Sequence, residues 1–121
     1  MKKLTIFLLL TTLLSFTPQD DINTCLKKVD SSWGEACEEC TYNNDIYKVY
    51  YVNTCNFAID AVISLQGAKN IWKTNYFENV QPNDTMYAFN CHGNGKILKW
   101  ARKAGDKSLV LPNDAEINAA Y

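Results

Sequence analysis

Histidine is almost absent from this 121-residue chain, which holds only His92. That excludes a two-histidine ribonuclease site and any zinc centre needing two imidazoles, and a Cys-His or Ser-His-Asp nucleophilic site would have to use His92. An excess of positive charge is also missing. Twelve Lys and Arg stand against thirteen Asp and Glu, a formal charge of −1, which argues against nucleic acid as a bulk partner. A spanning helix needs about 20 predominantly apolar residues, and the uncharged apolar run over residues 4–16 stops at Thr17-Pro18-Gln19-Asp20-Asp21. No small residues precede Cys25, which follows Ile22-Asn23-Thr24, so a lipid anchor on that cysteine is not expected.

What stands at the N-terminus is a short basic start, Met1-Lys2-Lys3, ahead of that run, the arrangement of an export signal. Cleavage is expected near Gln19, leaving residues 20–121 with ten bases against thirteen acids and no stable membrane insertion after signal removal. About 100 residues suit one domain with little stability margin. The expected organisation is a signal peptide at 1–19, a Cys-containing segment at 20–45, a β-domain core at 46–112 and a tail at 113–121. The expected location is secreted or periplasmic.

Five cysteines follow the signal: Cys25, Cys37, Cys40, Cys55 and Cys91. In an exported chain of this size they read as disulfides. Two bridges can be drawn from five thiols in about 15 ways. The favoured pairs are Cys55 with Cys91, both at the ends of expected strands, and Cys25 with Cys37 or Cys40.

Ile22, Cys25, Leu26 and Val29 fall at i, i+3, i+4 and i+7, as do Trp33, Ala36, Cys37 and Cys40. This predicts two short helical turns, the second opened by a capping box at Ser32-Trp33-Gly34-Glu35. From Ile46 the pattern turns to β, with segments at 46–53, 57–65, 70–80, 85–91 and 96–103 and turn chemistry between them. Phe57, Ile59, Ala61, Ile63 and Leu65 alternate onto one face, with Asp60 and Ser64 on the other, marking the best core strand. Asn94-Gly95 between two apolar runs predicts a hairpin. Residues 109–111 are candidates for a sixth strand and 113–121 for a loose tail or short helix. The fold class expected is mostly β, a small antiparallel sandwich or open barrel of five to six strands with a short N-terminal helical segment.

The run Val52-Asn53-Thr54-Cys55, the strand 59–63, Trp72, Pro82 and Gly93-Asn94-Gly95-Lys96-Ile97-Leu98-Lys99-Trp100-Ala101-Arg102 resemble a group of small secreted bacterial β-sandwich domains of uncharacterised function. These share an N-x-C at a strand end and a Gly-rich turn leading into a basic, Trp-containing last strand. The similarity covers residues 46–105. This chain lacks the extra cysteines that many of them carry, and the resemblance implies export and a β-sandwich but no activity.

Several residues carry possible chemistry. Cys37-Glu38-Glu39-Cys40 has the spacing of a thiol oxidoreductase or half a zinc knuckle, yet two glutamates oppose a depressed thiolate pKa and no βαβ context surrounds it. A structural disulfide is its ordinary role. His92 reads as a solvated turn residue. Trp72 and Tyr76 share a strand face, and Lys99 and Arg102 flank Trp100; such rings and cations can bind a glycan or anchor a protein partner. Their ordinary roles are core filling and a solvated strand face. The function expected is a noncatalytic extracytoplasmic binding domain, for glycan or protein at the cell surface, with Trp72, Tyr76, Trp100, Lys99 and Arg102 as candidate ligand-binding residues and no cofactor or metal. The alternatives are a small secreted enzyme or inhibitor built around His92 with Asp60 or Asp84, and a metal or thiol site at Cys37 and Cys40.

Overall fold

Period-two runs of Val, Ile, Tyr and Phe build the strands, and pairing between distant runs sorts them into two layers. The computed structural model describes residues 22–34, 40 and 46–121. The expected signal, residues 35–39 of the second helical turn and hence Cys37 lie outside them, whereas Ser32 and Trp33, which open the expected capping box, are extended strand and not helix. Six strands are described: β1 (Leu26–Trp33), β2 (Tyr47–Asn53), β3 (Ile59–Gln66), β4 (Trp72–Val80), β5 (Thr85–Asn90) and β6 (Ile97–Lys103), followed by helix α1 (Asp114–Ala120). They form two three-stranded antiparallel sheets, β1-β2-β5 and β4-β3-β6. The β3–β4 hairpin crosses to the second sheet and β5 returns beside β2, a Greek-key path. The chain is thus a small β-sandwich.

The core fills the space between the sheets. Val49, Tyr51, Met86 and Ala88 face Ile59, Ala61, Ile63 and Leu65 across it, each large aliphatic contributing about 1.5–3 kcal/mol on burial. Two buried asparagines close the ends. Asn53 donates to the carbonyls of Phe57 (2.9 Å) and Val80 (3.0 Å) and accepts from the Cys55 N–H (3.0 Å). Asn90 donates to the Leu65 carbonyl (2.9 Å) and accepts from the His92 N–H (3.1 Å). Each thereby ties a strand end of the first sheet to the second.

Four expectations need correction. The disulfides join Cys25 to Cys55 and Cys40 to Cys91, not Cys55 to Cys91, because the two strand ends carrying those cysteines lie at opposite ends of antiparallel neighbours β2 and β5. In the chain-entropy model, loops of 30 and 51 residues correspond to about 3.6 and 4.1 kcal/mol. The helical spacing at 22–29 resolves into a short 3-10 turn over 22–25 and the edge strand β1. A bulge between Lys28 and Asp30 shifts the register by one residue, so the alternation that would reveal a strand is broken. β1, and not 109–111, is the sixth strand. Asn94-Gly95 carries the chain between sheets instead of closing a hairpin: Asn94 bonds the Gln66 backbone and side chain (3.1 and 2.7 Å) at the end of β3. Next to it, a Cβ on Gly93 would overlap Tyr47.

Asn53→Ala leaves two carbonyls and an N–H unpaired in the interior and is expected to cost about 3 kcal/mol. Lys107→Ala, at an exposed site, is expected to stay within about 0.5 kcal/mol. Urea unfolding of the oxidised protein measures both.

Candidate functional site

The second sheet has something on both faces, which is why all eight residues of β3 are buried. Its outer face carries Asp60, Val62, Ser64 and Gln66 from β3, Trp72, Thr74 and Tyr76 from β4, and Leu98, Trp100 and Arg102 from β6. The register sets Val62 between Tyr76 and Trp100, and Asp60 opposite Arg102. After β6 the chain turns back over this face, and α1 seals one end with Ile117 packed on Val62 and Trp72. Helix α1 starts at a capping box between Asn113 and Glu116, which serves its first orphan donors. Its side chains also reach the free edge of β4. Asn118 accepts from the Trp72 N–H (2.7 Å) and donates to the Trp72 carbonyl (3.0 Å), while Asp114 accepts from the Thr74 N–H (2.7 Å).

A buried carboxylate positions the rest of this arm. Asp60 is 1% exposed and accepts from the backbone N–H of Asn79 (2.9 Å), that of Gly105 (3.1 Å) and Arg102 Nε (3.0 Å). Asn79 and Gly105 both hold left-handed backbones, φ 53° and 78°, which Asn and Gly adopt at least cost. Arg102 then donates from its Nη1 to the Leu109 carbonyl at 2.7 Å and interacts with the Tyr76 phenol. Burial pushes the Asp60 carboxyl up, but its backbone donors and the guanidinium outweigh that and leave it below the ordinary carboxylate value.

Between β4 and the arm lies an open groove of about 310 Å³ lined by Val62, Thr74, Tyr76, Leu111, Pro112, Asn113 and Asp114. Tyr76 is 51% exposed, and Leu109 and Val110 nearby in the arm are 49% and 82% exposed. A half-exposed ring, an apolar wall and a carboxylate thus meet at one place.

Of the residues singled out from sequence, Tyr76, Trp72, Trp100 and Arg102 come together on this face. Their environments differ. Trp72 is only 6% exposed, beneath α1, and its indole N–H has no hydrogen-bond partner among the described residues. Trp100 meets Tyr121 edge-on, with ring centroids 6.1 Å apart. Arg102 is committed to Asp60. Lys99 alternates away from Trp100, its ammonium 5.3 Å from the Tyr51 ring centroid, and Lys103 likewise sits over Phe57; the basic residues of β6 therefore do not form one face.

His92 follows Asn90 at the Gln66 end of β3. Asp60 is at the other end of that strand, roughly 20 Å away, and Asp84 is there too, its carbonyl accepting from the Asn53 N–H at 3.1 Å. The strand register therefore keeps both carboxylates away from His92. Cys40 is bridged to Cys91, so it forms no dithiol with Cys37, and among the described residues no three His, Cys, Asp or Glu are grouped to hold a metal. Sequence reasoning missed the Asp60–Arg102 pair and the roles of Asp114 and Asn118. The pair joins residues 42 apart, and only the β3–β6 register makes them neighbours.

No family model matches the chain, and neither curated proteins nor solved structures give a significant match. The geometry alone carries the functional reading.

Because Asp60 titrates lower folded than unfolded, the stability it confers is present above its unfolded pKa of about 3.9. It is lost as pH falls through the folded value. Asp60→Asn is expected to lower stability by about 2 kcal/mol at pH 7, roughly 10 °C in Tm, with the gap to wild type narrowing below about pH 3.9. Thermal melts from pH 7 to 2.5 measure this, and a gap that persists undiminished at pH 2.5 would contradict it.

Proposed function

We propose that the chain is exported, loses its first nineteen or so residues, and acts outside the cytoplasm as a small noncatalytic binding domain, secreted or periplasmic. Two disulfides fit an oxidising compartment, and no described helix is long and apolar enough to cross a membrane. The observation that carries the binding role is the half-exposed Tyr76 ring standing in the groove with the apolar Val62, Leu111 and Pro112. Soluble domains leave such contiguous apolar surface open mostly where something docks. Tyrosine is well suited to the task, since it offers a large rigid contact at low entropic cost, and here Arg102 steadies its phenol. Arg102 holds the arm that forms the opposite wall.

Noncatalytic action is favoured over a His92-centred enzyme because the strand register separates His92 from Asp60 and Asp84. It is favoured over a thiol or metal site because Cys40 is already engaged with Cys91.

Two measurements test the reading. Intact mass of the exported protein, before and after reduction and alkylation, is expected to show the shortened chain with both bridges. A panel of soluble oligosaccharides and end-capped random heptapeptides is then screened against wild type and Tyr76→Ala. A ligand is expected that weakens about tenfold or more with Tyr76→Ala and is unaffected by Lys99→Ala. Absence of any Tyr76-dependent binding in both classes would sink the proposal.

A further inference from the structure

Three of the four sheet edges show how this fold handles unpaired backbone, and they differ instructively. An edge strand exposes a row of N–H and C=O groups that invites another strand. β1 carries two lysines and a bulge. On β6 the Ala101 N–H is taken by the Asn23 side chain at 2.8 Å. On β4, α1 stands in for a strand: the Asn118 amide makes the reciprocal donor–acceptor pair with Trp72 that a neighbouring residue would make, and Asp114 takes the next outward N–H, that of Thr74.

In an antiparallel ladder, alternate residues direct both backbone groups to the same side. Trp72 and Thr74 point away from β3, so Tyr76 does too. Among the described residues β4 pairs with β3 alone, and α1, which begins at Asp114, bonds this edge at Trp72 and Thr74. The outward N–H and C=O of Tyr76 therefore continue the row that α1 has begun, and they lie beside the groove.

We propose that this edge binds an extended polypeptide segment by strand addition, its backbone pairing with Tyr76 and an aliphatic side chain entering the groove against Val62, Leu111 and Pro112. The inference rests on the binding-domain reading above and specifies its ligand class. Paired donor and acceptor groups on a strand edge suit a peptide backbone, with side-chain pockets supplying selectivity. The apolar wall asks for an aliphatic residue. The Asp114 carboxylate on the wall, with Glu78 two residues beyond Tyr76, asks for a cation next to it. A strand laid along β4 presents alternate side chains to the groove, so the preferred segment alternates.

The test uses the oxidised full domain. Hydrogen exchange of the free protein is expected to show slow Trp72 and Thr74 amides and a fast Tyr76 amide. End-capped random heptapeptides are selected on the immobilised domain and the enriched peptide is resynthesised. It is expected to carry an aliphatic residue beside Lys or Arg, to slow Tyr76 exchange about tenfold or more, and to lose about tenfold or more in affinity when alternate backbone amides are N-methylated, a modification that removes donors while keeping side chains. Tyr76→Pro, which deletes the outward N–H at an edge position, is expected to abolish binding; if that variant fails to fold, the N-methylated peptide and the exchange data decide. A peptide whose affinity ignores N-methylation, or Tyr76-dependent binding of oligosaccharides with no peptide enriched, would overturn strand addition while leaving the binding-domain reading standing. No Tyr76-dependent binding of either class would overturn both.

Discussion

Asp60 is a carboxylate held at 1% exposure within a mostly apolar sandwich, and the arrangement of the second sheet's outer face follows from how it is satisfied. An unpaired charge at that depth would be too costly to keep. Its donors come from three separate places in the chain: the end of β4 at Asn79, β6 at Arg102 and the first turn of the arm at Gly105. The same carboxylate thereby aligns three segments. Through Arg102 the constraint extends to Leu109, so the arm lies where it walls a groove beside Tyr76. The proposed binding surface is a consequence of satisfying this one group.

The two sheets are otherwise treated differently. The first is anchored at one end by the Cys25–Cys55 bridge and beyond β5 by Cys40–Cys91. The second is covered by the arm, where Ile117, Leu111, Trp72 and Trp100 build a second, smaller apolar cluster. A domain of this size buries a modest fraction of its surface, and the bridges and second cluster compensate for a thin central core. Coverage by the arm also leaves a strand edge half occupied, with side chains of α1 serving Trp72 and Thr74 but not Tyr76. The proposed role in recognition draws on a disulfide-stapled scaffold with a partly open edge, and the strand register sets His92 apart from Asp60 and Asp84.

Much of the fold was legible because strand patterning is local. The segments expected from 46 to 103 became β2 to β6 with ends displaced by at most two residues, and the turn chemistry expected between 57–65 and 70–80 joins β3 and β4 as a hairpin. Alternation also placed Trp72, Thr74 and Tyr76 on one face. β1 was not legible, since it lies at an edge with only Leu26 buried and its bulge breaks the period. The apparent hairpin at Asn94-Gly95 failed for a different reason: Asn-Gly encodes a tight turn, but whether the flanking strands pair with each other is settled by Asn90 and Asn94 bonding to β3.

By itself, then, the sequence determined the mostly β class, the strand positions after residue 46, the cysteine supply for two bridges and the pairing of Trp72 with Tyr76 on one strand face. These depend on composition and on neighbours two to four residues apart. Only the tertiary structure decided which cysteines join, that Arg102 pairs with Asp60, that Trp72 is covered while Tyr76 is open, and that α1 occupies part of a strand edge. Each of these is a contact between segments roughly 30 to 50 residues apart in the chain. Such contacts are set by which strands lie side by side, and many strand orders are compatible with the same local pattern.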